Sequence, residues 1–181
     1  MNFKQFLLEQ NFDSYDTALR GNIPETYKQR GFKFDFNDYD ILDYGCGYGK
    51  GKEFLESHYN CVVYNYDPDT RRGFLNGVEE FCASNNPQKI ICCNNVLNVI
   101  DGSLNEILHK ISRIANMNDV ELVVFKIYEG DGSGIGRQTG KKKWQRNEKT
   151  STYVPAVKQF FTKWDVNQIG KSEFIVCKQI P

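Results

Sequence analysis

The chemistry this sequence can do is concentrated between Asp43 and Gly49. That stretch reads Asp-Tyr-Gly-Cys-Gly-Tyr-Gly. Glycine at every second position lets the backbone bend sharply and approach a ligand with no Cβ in the way. Asp40-Ile41-Leu42-Asp43-Tyr44 reads as a strand that runs into the glycines, and Lys50 to Tyr59 reads as the helix that follows. A second acid, Asp67, ends the next strand-like run 24 residues after Asp43. A carboxylate there can accept both hydroxyls of a ribose. A phosphate loop needs Gly-x-x-x-x-Gly-Lys-Ser/Thr, and neither Gly-Lys pair qualifies. Tyr44 stands where Gly49-Lys50 would need its first glycine, and Gly51-Lys52 has Cys46 before it and Glu53 after it. The dinucleotide pattern G-x-G-x-x-G also fails, since its third glycine would fall on Lys50 or Lys52.

The order Asp-x-Gly-x-Gly-x-Gly, with Asp67 after the next strand, resembles the first motifs of class I S-adenosylmethionine-dependent methyltransferases. The resemblance implies that Asp43, Tyr44, Gly45, Cys46, Gly47, Tyr48 and Gly49 cradle the methionine part of S-adenosylmethionine. It implies that Asp67 holds the ribose. The carboxylate of Asp43 and the rings of Tyr44 and Tyr48 would suit the surroundings of a sulfonium cation. Cys92-Cys93-Asn94-Asn95-Val96-Leu97 looks like the fourth-strand region of these enzymes, so Asn94 and Asn95 would border the methionine end and the substrate. An asparagine turn closing a strand is the competing reading for Asn95. Asn95 to Ile100 and Thr139 to Gln145 are similar to a group of small methyltransferase-like proteins of bacteria and phages, some of them associated with DNA-modification gene clusters. One departure stands out. Only about 20 residues separate Asp67 from the strand at Ile90, so the usual third strand is short or missing, and no adenine ligand can be assigned.

Substrate chemistry is expected in the loop over residues 129–150. From Arg137 to Lys149 it carries six basic side chains and one acid. Arg137, Lys141, Lys142, Lys143 and Arg146 would grip an anionic substrate, and Trp144 could stack on a base. That makes a nucleic acid or nucleotide the expected partner. The alternatives are a solvated charged loop, and a non-catalytic nucleic-acid-binding module built on a methyltransferase-like fold. Tyr128, Glu129 and Asp131 lie just past a strand end and are the candidates for taking a proton from the acceptor. The sequence has neither the Asp/Asn-Pro-Pro-Tyr/Phe signature for exocyclic amines of bases nor a Pro-Cys motif for attack on a cytosine ring.

The elements that must position these groups alternate strand and helix. Strands are predicted at Asp40–Tyr44, Cys61–Tyr66, Lys89–Cys93 and Glu121–Tyr128, and a terminal hairpin at 163–169 and 173–178. Helices are predicted at 50–59, 71–84 and 153–163. Another follows a capping box of Ser103 and Glu106, with Leu104, Ile107, Leu108, Ile111 and Ile114 on one face. A further short helix is expected at 3–12, and 13–37 is expected to be irregular. The fold class is therefore α/β: a single-domain Rossmann-like sandwich, its sheet mostly parallel with a C-terminal antiparallel hairpin. Residues 1–37 form an extension and 38–181 the catalytic core.

Composition narrows the classes further. The chain has 181 residues, 40% of them hydrophobic and 25% charged, which excludes wholesale disorder, collagen-like repeats and coiled coil. Lysine plus arginine equals aspartate plus glutamate at 23 each, so only a local patch can attract an anion. No apolar run approaches the roughly 20 residues of a membrane span, and the apolar start at Phe3–Leu8 is too short for a signal peptide. None of the six cysteines forms a C-x-x-C pair, and His58 and His109 are the two histidines. The expectation is a cytoplasmic protein with reduced thiols used as small apolar residues and no metal site.

Overall fold

The computed structural model describes residues 22–68, 73–140 and 143–180. The helix expected at 3–12 and the side chains of Lys141 and Lys142 lie outside the described residues. Six strands form the main sheet: β1 (Asp40–Tyr44), β2 (Val62–Tyr66), β3 (Lys89–Asn94), β4 (Leu122–Lys126), β7 (Trp164–Gln168) and β8 (Phe174–Gln179). Their spatial order is β2-β1-β3-β4-β8-β7. The first four run parallel, while β8 pairs antiparallel with β4 and β7 antiparallel with β8. This is the expected Rossmann-like sandwich with its terminal hairpin. β2 forms one edge of the sheet, and no described residue adds a strand beyond it, in keeping with the short spacing before Ile90.

Strands covered on both faces need apolar residues at successive positions rather than alternate ones. Ile90 to Cys93 and Leu122 to Phe125 meet that need and are buried throughout. On one face α2 (Gly77–Ala83), α3 (Asn105–Met117) and α4 (Thr150–Phe160) pack Phe81, Ile107, Ile111 and Val157 against Leu42, Ile91, Val123 and Phe125. The other face is covered by α1 (Lys50–His58), through Leu55, and by the N-terminal segment, through Tyr27, Phe32 and Phe36. That segment is irregular, as its composition suggests, yet its rings belong to the core. Phe32 stacks on Phe174 at 5.9 Å, and Phe36 meets Tyr59 at 5.5 Å.

Several local expectations change, among them the helix expected at 71–84, which among the described residues starts only at Gly77. The capping box does not form, because α3 starts after Leu104 and Ser103 instead accepts the N–H of Asn105, two residues on. Helix α4 begins at Thr150, three residues before the expected start, because the Glu129 carboxylate accepts the Thr150 N–H at 2.6 Å and satisfies the helix end from outside. The basic loop is also more ordered than its composition suggests. Strands β5 (Arg137–Gly140) and β6 (Lys143–Gln145) pair as an antiparallel ribbon. Among the described residues no helix is long and apolar enough to cross a membrane.

Strand order reverses between β1 and β3, since the chain runs outward from β1 to β2 and then crosses back to β3. In a parallel sheet the loops leaving the carboxyl ends of two such strands diverge to opposite faces and open a crevice. The glycine stretch leaves β1 at this point, and Asn94 and Asn95 leave β3 beside it.

Candidate functional site

Gly45, Gly47 and Gly49 all have positive φ, at 78°, 60° and 72°. The N–H groups of Gly45 and Cys46 donate to the Tyr66 carbonyl at 2.7 and 3.0 Å, which binds the loop to the end of β2. Gly45 is also required by packing, since a Cβ there would collide with the Val96 side chain. Asp67, 5% exposed, accepts the Gly47 N–H through Oδ2 at 2.9 Å. The two motif elements singled out in the sequence are thus joined by a hydrogen bond. A carboxylate offers about four lone-pair sites, so it can accept several donors at once.

Asp43, Asn94 and Lys126 occupy the carboxyl ends of β1, β3 and β4. They share the face covered by α1 and the N-terminal segment, because residues two apart on a strand point the same way. Asn94 Nδ2 donates to Asp43 Oδ1 at 3.4 Å, and Thr26 Oγ1 donates to Asn94 Oδ1 at 2.5 Å. Asp43 is 1% exposed, and burial is the main force raising its pKa from 3.8 to about 6. The hydrogen bonds from Tyr27 and Asn94 oppose that rise, and the negative charge of Asp67 adds to it. Tyr27 is fully buried beside Asp43 and Cys92, and burial first, then the Asp43 charge, pushes its phenol upward. Its hydroxyl has no hydrogen-bond partner of ordinary geometry.

The first turn of α1 has to accept this cluster from above. A Cβ on Gly51 would lie 2.5 Å from Tyr27 Cε2 and 2.7 Å from Asp43 Oδ2. Gly51→Ala therefore forces the Tyr27 ring away from Asp43. Overpacking of this kind costs roughly 1–3 kcal/mol, and the expected result is a lower urea midpoint with an unchanged slope. An unshifted midpoint would show that the cluster is not tightly packed.

At β4, the Lys126 ammonium is buried and donates to Glu173 Oε2 at 2.7 Å and to the Ile127 carbonyl at 3.0 Å. Glu25 stands 3.8 Å away. Of the residues expected to remove a proton, Tyr128 is 55% exposed. The Glu129 carboxylate holds the start of α4, and its N–H donates to Glu173. Asp131 accepts the Ser133 N–H and pairs with Arg137 at 3.5 Å, and the hydrogen bonds to Ser133 lower its pKa.

The ribbon is tied to the loop after β3. Gln145 Nε2 donates to the Tyr128 carbonyl and Asn98 Nδ2 to Gln145 Oε1. Arg146 donates to the carbonyls of Ile100 and Gly102 and meets Glu148, so its guanidinium anchors the ribbon. Trp144 lies across Gly136, where a Cβ would strike its ring. Arg137 and Lys143 are exposed.

The fold brings Asp43, Gly45, Gly47, Gly49, Asp67, Asn94 and Asn95 to the carboxyl ends of three neighbouring strands, β2, β1 and β3. Tyr44 points to the opposite face, where its ring packs against Tyr66 at 4.8 Å, and Tyr48 is 44% exposed. Cys46 is half-buried in the loop, while Cys92 and Cys93 are buried in the core. Sequence reasoning missed Thr26, Tyr27 and Lys126. Only Lys126 left a signal, a single charge inside the apolar run from Leu122 to Tyr128.

No family model matches the sequence. No curated protein matches it either. Among solved structures, the chain is similar to a candidate S-adenosylmethionine-dependent methyltransferase from Listeria monocytogenes. The TM-score is 0.48 and the identity 13%, over 87% of this chain and 98% of the other. A likeness of that grade bears on neither cofactor nor acceptor.

Proposed function

We propose that the chain is an S-adenosylmethionine-dependent methyltransferase acting on an anionic acceptor, a nucleic acid or nucleotide. The observation that carries this reading is the bond between the Gly47 N–H and Asp67 at the strand-order reversal. It joins the glycine loop after β1 to the acid after β2, and the sequence order resembles that of the methyltransferase motif, which supports the reading. The surroundings fit the cofactor. Asn65 Oδ1 and Asn95 Oδ1 are buried polar atoms with no hydrogen-bond partner among the described residues. Asn65 lies on β2 and Asn95 just past β3, the two strands that flank β1 and its glycine loop, and buried polar groups of this kind ordinarily find partners.

When bound, the cofactor supplies an electrophilic methyl group. The chain's task is to align an acceptor with it, exclude water and receive a proton where the acceptor loses one. Asp67 would hold the ribose hydroxyls, the Gly45–Gly49 backbone the methionine portion, and Asn94 and Asn95 the border with the acceptor. Tyr128, Glu129 and Asp131 are the candidates for receiving that proton, with Glu129 holding the Thr150 N–H through Oε1 and Asp131 the Ser133 N–H through Oδ1. Arg137, Lys141, Lys142, Lys143 and Trp144 would meet the acceptor, with Arg146 holding their ribbon in place. Six cysteines outside any disulfide suit the cytoplasm.

The test is thermal unfolding with S-adenosylmethionine, S-adenosylhomocysteine, NAD and ATP. A ligand at 100 times its Kd adds about 2.7 kcal/mol. The two adenosyl ligands should raise the Tm and the other two should not. Stabilisation by NAD alone would point to an oxidoreductase. Steeply salt-dependent binding of nucleic acid, with no adenosyl ligand bound, would favour the non-catalytic module.

A further inference from the structure

Three consecutive residues before the first strand meet three neighbouring strand ends. Glu25 faces Lys126 at the end of β4, at 3.8 Å. Thr26 donates to Asn94 at the end of β3, and Tyr27 lies against Asp43 at the end of β1. The turn that presents them is built by its own backbone. Tyr27 and Lys28 donate to the Pro24 carbonyl at 3.1 and 3.3 Å, and Arg30 donates to Glu25 at 3.1 Å. Gln29 Nε2 ties the turn to the Tyr59 hydroxyl at 2.8 Å. A local turn thus delivers side chains to a crevice whose other residues come from the sheet.

The Asn94 amide is where this matters. An ionised carboxylate can only accept, so Asp43 requires the amide nitrogen to face it and turns the amide oxygen toward Thr26. The contact with Asp43 is 3.4 Å, at the long end of hydrogen bonding. The Thr26 contact is 2.5 Å, from a side chain with no exposed surface. It is the shorter of the two and the one that holds the amide. One lone pair of the Asn94 amide oxygen then remains for a ligand, the amide nitrogen also standing within hydrogen-bond reach of Tyr27, and Asn94 is only partly covered.

We propose that Thr26 is a positioning residue of the crevice, whose hydroxyl sets the Asn94 amide for the amino-acid end of the cofactor. The inference rests on the methyltransferase reading for its ligand, though not for its geometry. Thr26→Val keeps the shape and removes the hydroxyl, and Thr26→Ser keeps the hydroxyl. In calorimetric titration with S-adenosylhomocysteine, Thr26→Val should bind about tenfold more weakly than wild type, the usual scale for one hydrogen bond plus the acceptor it leaves unpaired. Thr26→Ser should recover most of that loss. A merely structural threonine would lower the unfolding midpoint and leave the Kd of the folded protein unchanged.

The second measurement needs no ligand. The side-chain amide protons of Asn94, followed by NMR exchange in the free protein, should be protected in wild type and Thr26→Ser and lose protection in Thr26→Val. Equal protection in all three overturns the positioning role, as does equal affinity of wild type and Thr26→Val. If Asn94 protection depends on Thr26 while wild type ignores S-adenosylhomocysteine, the methyltransferase reading fails and the positioning of Asn94 stands.

Discussion

Replacing Asp67 by alanine should weaken S-adenosylhomocysteine binding by roughly 100-fold, about 3 kcal/mol, the scale of one or two hydrogen bonds to a charged acceptor. The carboxylate is 5% exposed and accepts the Gly47 N–H at 2.9 Å. On the proposed function its removal takes away the acceptor for two ribose hydroxyls, and it leaves the buried Gly47 N–H without this acceptor. Asp67→Asn should fall between, since it keeps the shape and one acceptor oxygen while presenting an N–H where an acceptor is needed. Calorimetric titration checks both variants. Affinity unchanged in Asp67→Ala would end the ribose assignment. A second consequence has a definite sign: the charge of Asp67 helps to raise the pKa of Asp43, so Asp67→Ala should lower it.

The parts of this site that could be read in the sequence are those set by local order. Glycines at alternate positions after an apolar strand specify a tight strand-to-helix turn, and the structure forms it with three positive φ values. The position of Asp67 was legible because it depends on a strand end, and β2 ends one residue before it. The continuous apolar runs at Ile90 and Leu122 announced buried parallel strands for the same reason. What stayed hidden depends on distant partners. Thr26 lies 68 positions from Asn94 in sequence, in a stretch with no periodicity. The early start of α4 depends on Glu129, 21 positions before Thr150. Charge alone also left the carbonyl contacts of Arg146 unseen, since its guanidinium donates to Ile100 and Gly102, 46 and 44 positions away.

Asp43→Asn should make the protein more stable at pH 7 and poorer at holding a cationic ligand. Burial raises the Asp43 pKa from 3.8 to about 6. Between those values the folded protein holds a proton that the unfolded chain has released. Stability therefore falls as pH rises through that window and stays lower above it. A shift of about two units at 1.36 kcal/mol each makes the loss about 3 kcal/mol at pH 7. Asparagine cannot ionise, so the variant should match wild type near pH 4 and exceed it increasingly up to pH 6. Urea unfolding at unit pH steps reads this directly, provided the slope is the same for both proteins. Equal midpoints at pH 7 would mean that Asp43 is not destabilised by burial. A carboxylate kept at such a cost needs a compensating role, and a buried negative charge is suited to a bound sulfonium or ammonium. That attraction favours the ionised form, so S-adenosylmethionine should bind more tightly as pH rises through about 6, releasing a proton from Asp43. S-adenosylhomocysteine, whose sulfur is neutral, should show a weaker dependence. In Asp43→Asn both slopes across pH 5 to 7 should flatten, and the preference for the charged ligand over the neutral one should shrink.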